Sequence, residues 1–227
     1  MTQHVLIKME GKVMINDKGP KTPAIFLRFP GGYCRPVEAD DVPYIYIWVN
    51  DPDIRPFLNR ILVELLEDEE EWRKGLSKRR EYNQVWMICL DDGTRIGTIG
   101  LHRISYKDGT ATTGACFGNK EHQSKGIGQK AKMVILNHAF NVLNLRLVYS
   151  NVLGFNQRSV RYSERCGYKV IATLPDDIRV GDEYYDCIIM SVSRAEWLPV
   201  WEKFRKEHQI ESFTEMLERT MQPRKKD

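Results

Sequence analysis

This chain has no CxxC pair, no long apolar run and almost no surplus of either charge. Its five cysteines, Cys34, Cys89, Cys116, Cys166 and Cys187, stand singly among 227 residues. Scattered thiols of this kind exclude a disulfide framework and predict a reducing, cytoplasmic setting. The five histidines are equally dispersed, so neither zinc nor another metal is expected. No segment approaches the ~18 apolar residues of a membrane span, and Met1-Thr2-Gln3-His4 does not open a secretion signal. Lysine and arginine number 34 against 31 acidic residues, a net charge of +3, which leaves no electrostatic footprint for nucleic acid. The basic stretch Arg73-Lys74 and Lys78-Arg79-Arg80 trails an acidic run, Glu67 to Glu71, and reads as a solvated helix face. The acidic run itself complements the dipole of a helix start. What remains is a folded chain of ordinary composition, 42% apolar and 29% charged, long enough for one full core with appendages.

Turn residues and periodicity divide it. His4 to Asp17 alternates around Gly11 as a small hairpin, and Lys18-Gly19-Pro20 breaks it off. Strands are expected at Ile25 to Phe29 and Tyr33 to Val37. A short helix follows, capped by Asp40 or Asp41 and running to Trp48, with a second from Asp68 to about Arg80. Strands at Val85 to Leu90, Ile96 to Ile104 and Thr110 to Phe117, joined at Asp92-Gly93 and Asp108-Gly109 as two-residue turns, form an antiparallel meander. Then come a helix, a strand at Leu145 to Val152, a helix at Asn156 to Arg165, and strands at Tyr168 to Leu174 and Glu183 to Val192. The class is mixed α/β, antiparallel first and parallel through one helical crossover. Glu196 to Glu218 carries Trp197, Trp201, Phe204, Ile210, Phe213 and Leu217 at helical spacing, which predicts a helix or helix pair packing on the core or on a second subunit. Its aromatic content raises the prospect of a homodimer. The organisation is therefore an arm at 1–24, a domain at 25–195 and a helical extension at 196–227.

The chemistry begins at Gln123-Ser124-Lys125-Gly126-Ile127-Gly128, a turn that opens into a helix. Ala131, Val134, Ile135, His138, Ala139 and Val142 behind it mark one buried helix face. The first N–H groups of a helix lack partners and the dipole is positive there, so main chain alone can cradle a pyrophosphate where no Cβ blocks it. Gly126 and Gly128 remove that block. A Walker ending is absent, and Ala131 stands where a dinucleotide fingerprint wants its third glycine. The ligand is a phosphate-bearing cofactor of another kind.

Thirty residues beyond Gly126 runs Asn156-Gln157-Arg158-Ser159-Val160-Arg161-Tyr162-Ser163-Glu164-Arg165-Cys166-Gly167-Tyr168. Asn-x-x-Ser-x-Arg-x-x-Glu-x-x-Gly-aromatic after Gln-x-x-Gly-x-Gly resembles the GNAT acetyltransferases, and within them the Rim-type branch that acetylates amino termini of ribosomal proteins. Cys34 to Asp41, Trp48 to Arg55 and Met190 to Trp197 are similar to that branch's opening strand, first helix and closing strand. The resemblance spans about Ile25 to Trp197. It implies a mostly antiparallel sheet splayed between strands four and five, and acetyl-CoA as co-substrate. By that resemblance Gln123, Ser124, Lys125, Gly126, Ile127, Gly128 and Gln129 wrap the pyrophosphate, Asn156 meets the pantetheine arm, and the backbone of Cys116, Phe117 and Gly118 pairs with that arm.

Acetyl transfer needs a neutral amine, a polarised carbonyl and a proton for the departing thiolate. Many family members supply that proton from a tyrosine seven residues after the asparagine, where this chain has Ser163. Tyr162 is one place off, a rotation of about 100°. Ser159 is assigned instead as donor or thiol-orienting group. Relatives often carry a glutamate base where Thr112 stands, so the base is unassigned. An α-amine of pKa ~7.8 needs ~3.5 kcal/mol less help to lose its proton than an amine near ~10.4. An amino terminus or amino sugar is therefore the expected acceptor, with a polyamine or antibiotic as the alternative. A non-catalytic acyl-CoA-binding module is the reading from a different class.

Overall fold

The computed structural model describes residues 7–9, 12–14, 24–58, 60–123 and 125–211. A separate hairpin pairs β1 (Ile7–Met9) with β2 (Lys12–Met14). The body is one eight-stranded sheet. Its strands are β3 (Leu27–Phe29), β4 (Gly32–Pro36), β5 (Gln84–Leu90), β6 (Arg95–Ser105), β7 (Thr110–Phe117), β8 (Leu147–Leu153), β9 (Lys169–Val180) and β10 (Glu183–Ser193). The spatial order is β3-β4-β5-β6-β7-β8-β10-β9. All neighbours are antiparallel except β7 and β8, which the helical crossover forces to run the same way.

Helices cover both faces. α1 (Val42–Asn50) and α2 (Leu66–Arg79) lie on one, where Ile45, Trp48 and Val49 pack with Tyr33, Met87 and Cys89. The main core is on the other, beneath α3 (Ile127–Asn137). α4 (Gln157–Glu164) follows β8, and α5 (Arg194–Glu207) ends the described chain. Trp197, Trp201 and Phe204 of α5 belong to the main core, so the aromatic content that suggested a dimer surface is spent within the chain. Phe213 and Leu217 lie outside the described residues.

Three local expectations are corrected. The β5–β6 connection runs from Asp91 to Thr94, where the Leu90 N–H bonds to Thr94 O around a loop of three residues, Asp91 to Gly93, and Gly93 takes φ +87° with its N–H bonded to Leu90 O. The β6–β7 connection spans Tyr106 to Gly109, again ending on a left-handed glycine. Each is a turn that closes with its αL residue, not the two-residue type. Val142 is 67% exposed although it falls on the periodic face of α3. The chain over His138–Val142 widens into a π-turn, and the extra residue rotates Val142 out of phase.

Asp41 is the third. Its carboxylate caps no α-helix: it is fully buried and accepts two hydrogen bonds from Arg35 (2.6 and 2.7 Å), one from Arg95 Nε (2.7 Å) and one from Glu38 N (2.8 Å). This clamp fixes the entry of α1 to β4 and β6. Burial alone would raise the Asp41 pKa, but the Arg35 and Arg95 hydrogen bonds outweigh it and hold the carboxyl below its ordinary value. A depressed carboxyl stabilises the fold above its unfolded pKa, ~3.9, and that contribution is lost as pH falls through the lower folded value. Asp41→Asn strands two buried guanidinium groups and is expected to cost about 3–5 kcal/mol in urea unfolding at neutral pH. The gap to wild type should narrow as pH drops below ~4.

Candidate active site

β7 and β8 stay together for three residue pairs only, Thr110 with Leu147, Ala111 with Val148 and Thr112 with Tyr149. They then part. β7 from Thr113 onward pairs with β6 alone, and β8 beyond Tyr149 with β10 alone. Thr113 sits at the fork, its hydroxyl donating to Tyr149 O (3.2 Å) and sharing a hydrogen with Tyr168 Oη (2.9 Å). The gap opens into a cleft of about 1060 Å³ whose walls come from α1, α2, β6, β7, α3, β8 and α4.

The phosphate end lies where α3 begins. Gly126 is its N-cap at φ +76°, with nothing within 4 Å of an added Cβ, so the approach to the first free N–H groups is open. Gly128 has a different reason to lack a side chain: a Cβ would stand 2.7 Å from the Phe117 ring. Gln123 donates to Phe117 O (3.0 Å) and accepts from Arg158 (2.9 Å), tying the end of β7 to α4. Asn156 caps α4 by accepting from Ser159 N (3.0 Å), and both residues line the cleft.

Of the residues expected from the sequence, Cys116, Phe117, Gln123, Gly126, Ile127, Gly128, Asn156 and Ser159 come together here. Gly118 does not line the cleft: its N–H bonds to Ile96 O (3.0 Å) and a Cβ would collide with Trp48 at 1.9 Å. Its role is to let α1 close on the sheet. Lys125 is exposed outside the lining, and Gln129 braces α4 by accepting from Arg165 (3.3 Å). Ser124 lies outside the described residues.

The cleft also holds groups the sequence reading missed. Glu69 of α2, 2% exposed, accepts from Arg60 (2.9 Å) through Oε1, while its buried Oε2 has no partner among the described residues. Burial pushes its pKa up against the pull of Arg60, and Glu64 and Asp68 add to the rise. His102 of β6 lies over Gly100 and Gly114, where any Cβ would touch its ring; burial and Arg103 lower its pKa. Lys132 of α3 is 2% exposed, donates to Ser163 Oγ (3.0 Å), and sits 4.1 Å from the Tyr162 ring centroid. Tyr162, expected to turn elsewhere, lines the cleft with its hydroxyl buried and unpartnered among the described residues. The signal for Lys132 was its place inside the apolar run Ala131 to Leu136. Glu69 gave none, standing among four acidic neighbours.

Comparison with known proteins agrees with this frame. A family profile described as acetyltransferase (GNAT) domain matches residues 33–169. The chain belongs to the GNAT acetyltransferase family. It is an acetyl-CoA-dependent N-acetyltransferase. Spermidine N(1)-acetyltransferase of Escherichia coli (strain K12) is 23% identical over 168 residues, 72% of this chain and 87% of that one. "Putative ribosomal N-acetyltransferase YdaF" of Bacillus subtilis (strain 168) is 29% identical over 127 residues, 56% and 67% of the two chains. A crystal structure of spermidine N-acetyltransferase from Vibrio cholerae, in complex with CoA and spermine, superposes with a TM-score of 0.70 at 22% identity, covering 74% of this chain and 99% of that one. The Rim-type branch is thus not singled out.

The two cradle glycines separate binding from packing. Gly126→Ala, which meets open space but a left-handed backbone, is expected to leave the fold intact and weaken CoA about tenfold, from ~1–2 kcal/mol of strain at the helix start. Gly128→Ala should instead lower the melting temperature by pressing on Phe117. Calorimetric titration with CoA and thermal unfolding of both variants read the two effects.

Proposed function

We propose that this enzyme acetylates a small polycationic amine of the polyamine class. The observation that carries the reading is Glu69 Oε2, a carboxylate oxygen buried in the cleft with no partner among the described residues. A buried acceptor of this kind costs about 1–3 kcal/mol unless a donor arrives, and an ammonium supplies one. Asp53 and Asp177 line the same cleft from beyond α1 and from β9, with Asp53 paired to Lys120 (2.6 Å). Arg60 is shared between Glu64 (2.8 Å) and Glu69 (2.9 Å), so one guanidinium faces two carboxylates there. The spermidine acetyltransferases among the relatives support the same class.

A polyamine amine near pKa ~10.4 must be deprotonated before it attacks. The sequence argument against such an acceptor rested on the lack of a visible base at Thr112. The cleft supplies proton-accepting groups from elsewhere: His102, whose neutral form burial and Arg103 favour, and Glu69, whose raised pKa makes it a better proton acceptor than an exposed carboxylate. The acetyl donor enters this reading by the phosphate-ready start of α3, the cap at Asn156 and the open edges of β7 and β8.

One feature favours a protein amino terminus as the second reading. Ile61, Leu62, Val63 and Leu65 are all more than half exposed ahead of α2, and Phe57 beside them lines the cleft. An apolar rim of this kind suits a polypeptide better than a polyamine. The free thiols and the cytoplasmic setting expected from them fit either acceptor.

Thiol release from acetyl-CoA against spermidine, spermine, peptides with free amino termini and amino sugars decides between them. Turnover is expected to be best with the polyamines, and Glu69→Gln to lower kcat/KM for spermidine by ~10–100-fold, the worth of a charge-assisted hydrogen bond, without weakening CoA. Preference for a peptide, with Glu69→Gln silent, would move the assignment to the second reading.

A further inference from the structure

The geometry points to Lys132 as the proton donor to the departing CoA thiolate. Nothing in the packing of α3 asks for a charge here. Its neighbours Ala131, Met133, Val134, Ile135 and Leu136 are all buried, and a methionine or leucine would fill the place. The ammonium instead points at a hydroxyl and two rings: Ser163 Oγ at 3.0 Å, the Tyr162 centroid at 4.1 Å and the Tyr168 centroid at 4.8 Å. No carboxylate pairs with it among the described residues. Cation–π contacts and one neutral hydrogen bond return part of the lost hydration, but a buried ammonium without a counter-charge is costly. Groups held at such a cost gather where chemistry uses them.

Its position says what the use is. Lys132 borders the cleft together with Asn156 and Ser159. Tyr168, whose ring it faces, bonds to Thr113 at the fork of β7 and β8. The buried Tyr162 hydroxyl beside it has no partner among the described residues, which marks a polar position that the protein leaves to a ligand. The inference rests on the placement of acetyl-CoA proposed above, with its thioester at the fork.

The step balances. The neutral acceptor amine forms a C–N bond to the thioester carbonyl carbon, and the C–S bond breaks with its electron pair going to sulfur. Lys132 Nζ gives that sulfur a proton, leaving a CoA thiol and a neutral lysine. The acceptor nitrogen sheds one proton to solvent, and Lys132 takes one back. Ser163 holds the ammonium in place, and Ser159 keeps the thiol-orienting half of its assigned role.

The acidity suits the task. Burial brings Lys132 down to about 8, close to the ~8.5 of an ordinary thiol, so it is charged at neutral pH and can still give its proton away. The titratable groups facing it are Tyr162 and Cys166, from α4 and the turn after it, and Tyr168 ahead of β9. Burial raises all three, Cys166 to about 11 despite Lys132 and Arg165 nearby, so Lys132 alone changes charge near pH 8.

The test is Lys132→Met. A buried apolar chain in place of an unpaired charge is expected to fold at least as stably, and to bind acetyl-CoA as wild type does by calorimetry. With both substrates saturating, kcat should fall ~100-fold or more, and the wild-type loss of kcat above about pH 8 should vanish from its profile. Wild-type turnover with that alkaline limb intact overturns the assignment, as does loss of the limb in Tyr162→Phe instead. Failure of the cofactor placement reads differently: Gly126→Ala and Asn156→Ala would then leave the acetyl-CoA affinity untouched. Should Lys132→Met not fold, wild type still decides. An acetyl thioester of a more acidic thiol needs no donor, so its alkaline limb should flatten; equal limbs with both thioesters overturn the proposal.

Discussion

The candidate cleft depends on the short ladder between β7 and β8. Three residue pairs join them, and then each strand turns its free edge to the gap. Such edges leave backbone donors and acceptors without protein partners, a state that persists only where water or a ligand completes them. The fork does not close because each strand is held from its outer side. β7 has a five-residue register with β6 beyond the fork, from Leu101 with Thr113 to Gly97 with Phe117, and β8 has β10. α3 fills the space beneath with residues of essentially no exposure, so the two halves of the sheet cannot slide together without expelling a packed helix. Thr113 fixes the point of parting by bonding across to Tyr149 O and to Tyr168.

The opposite wall is set by charge. Arg35, Arg95 and Asp41 form a buried cluster at the start of α1, and the Arg95 guanidinium also stacks 4.6 Å over the Tyr44 ring. A cluster of this kind contributes little net stability over an apolar one, but a helix shifted by one turn would leave charges unpaired, so it selects a single seating for α1. That seating brings the Trp48 indole against Gly118, where any larger residue would push it off the sheet. Trp48 and Val49 then form the cleft wall that faces the fork.

This explains what could be read from the sequence. Every strand of the sheet and the five α-helices were visible as period and punctuation, most of them because they bury one face against the core; β9, which has no buried residue, was read only to Leu174 and runs on to Val180. The cradle and Asn156 were visible because helix starts use glycine and asparagine for local reasons. The errors arose where a local rule met a tertiary one. Val142 keeps its period in the sequence and loses it to a π-turn, and Asp41 has the right residue type for a cap but is captured by Arg35 of the preceding strand and Arg95 of a distant one. Glu69 and Lys132 were hidden for another reason. One charged residue in a run looks like its neighbours, and only the assembled sheet decides which of them loses its water.

Those two residues share a physical condition and have opposite sign. Desolvation favours the neutral form of each, raising the carboxyl of Glu69 and lowering the ammonium of Lys132. A raised carboxylate takes a proton more readily than an exposed one, and a lowered ammonium gives one up more readily. Acetyl transfer asks for both tendencies at once, a proton removed from the attacking nitrogen and one delivered to the departing sulfur. A solvated cleft would let both groups relax to their ordinary values and remove the bias. In the proposed mechanism the aromatic wall of Trp48, Trp72 and Tyr162 therefore shares in the chemistry, since rings in place of water favour the neutral form of both groups.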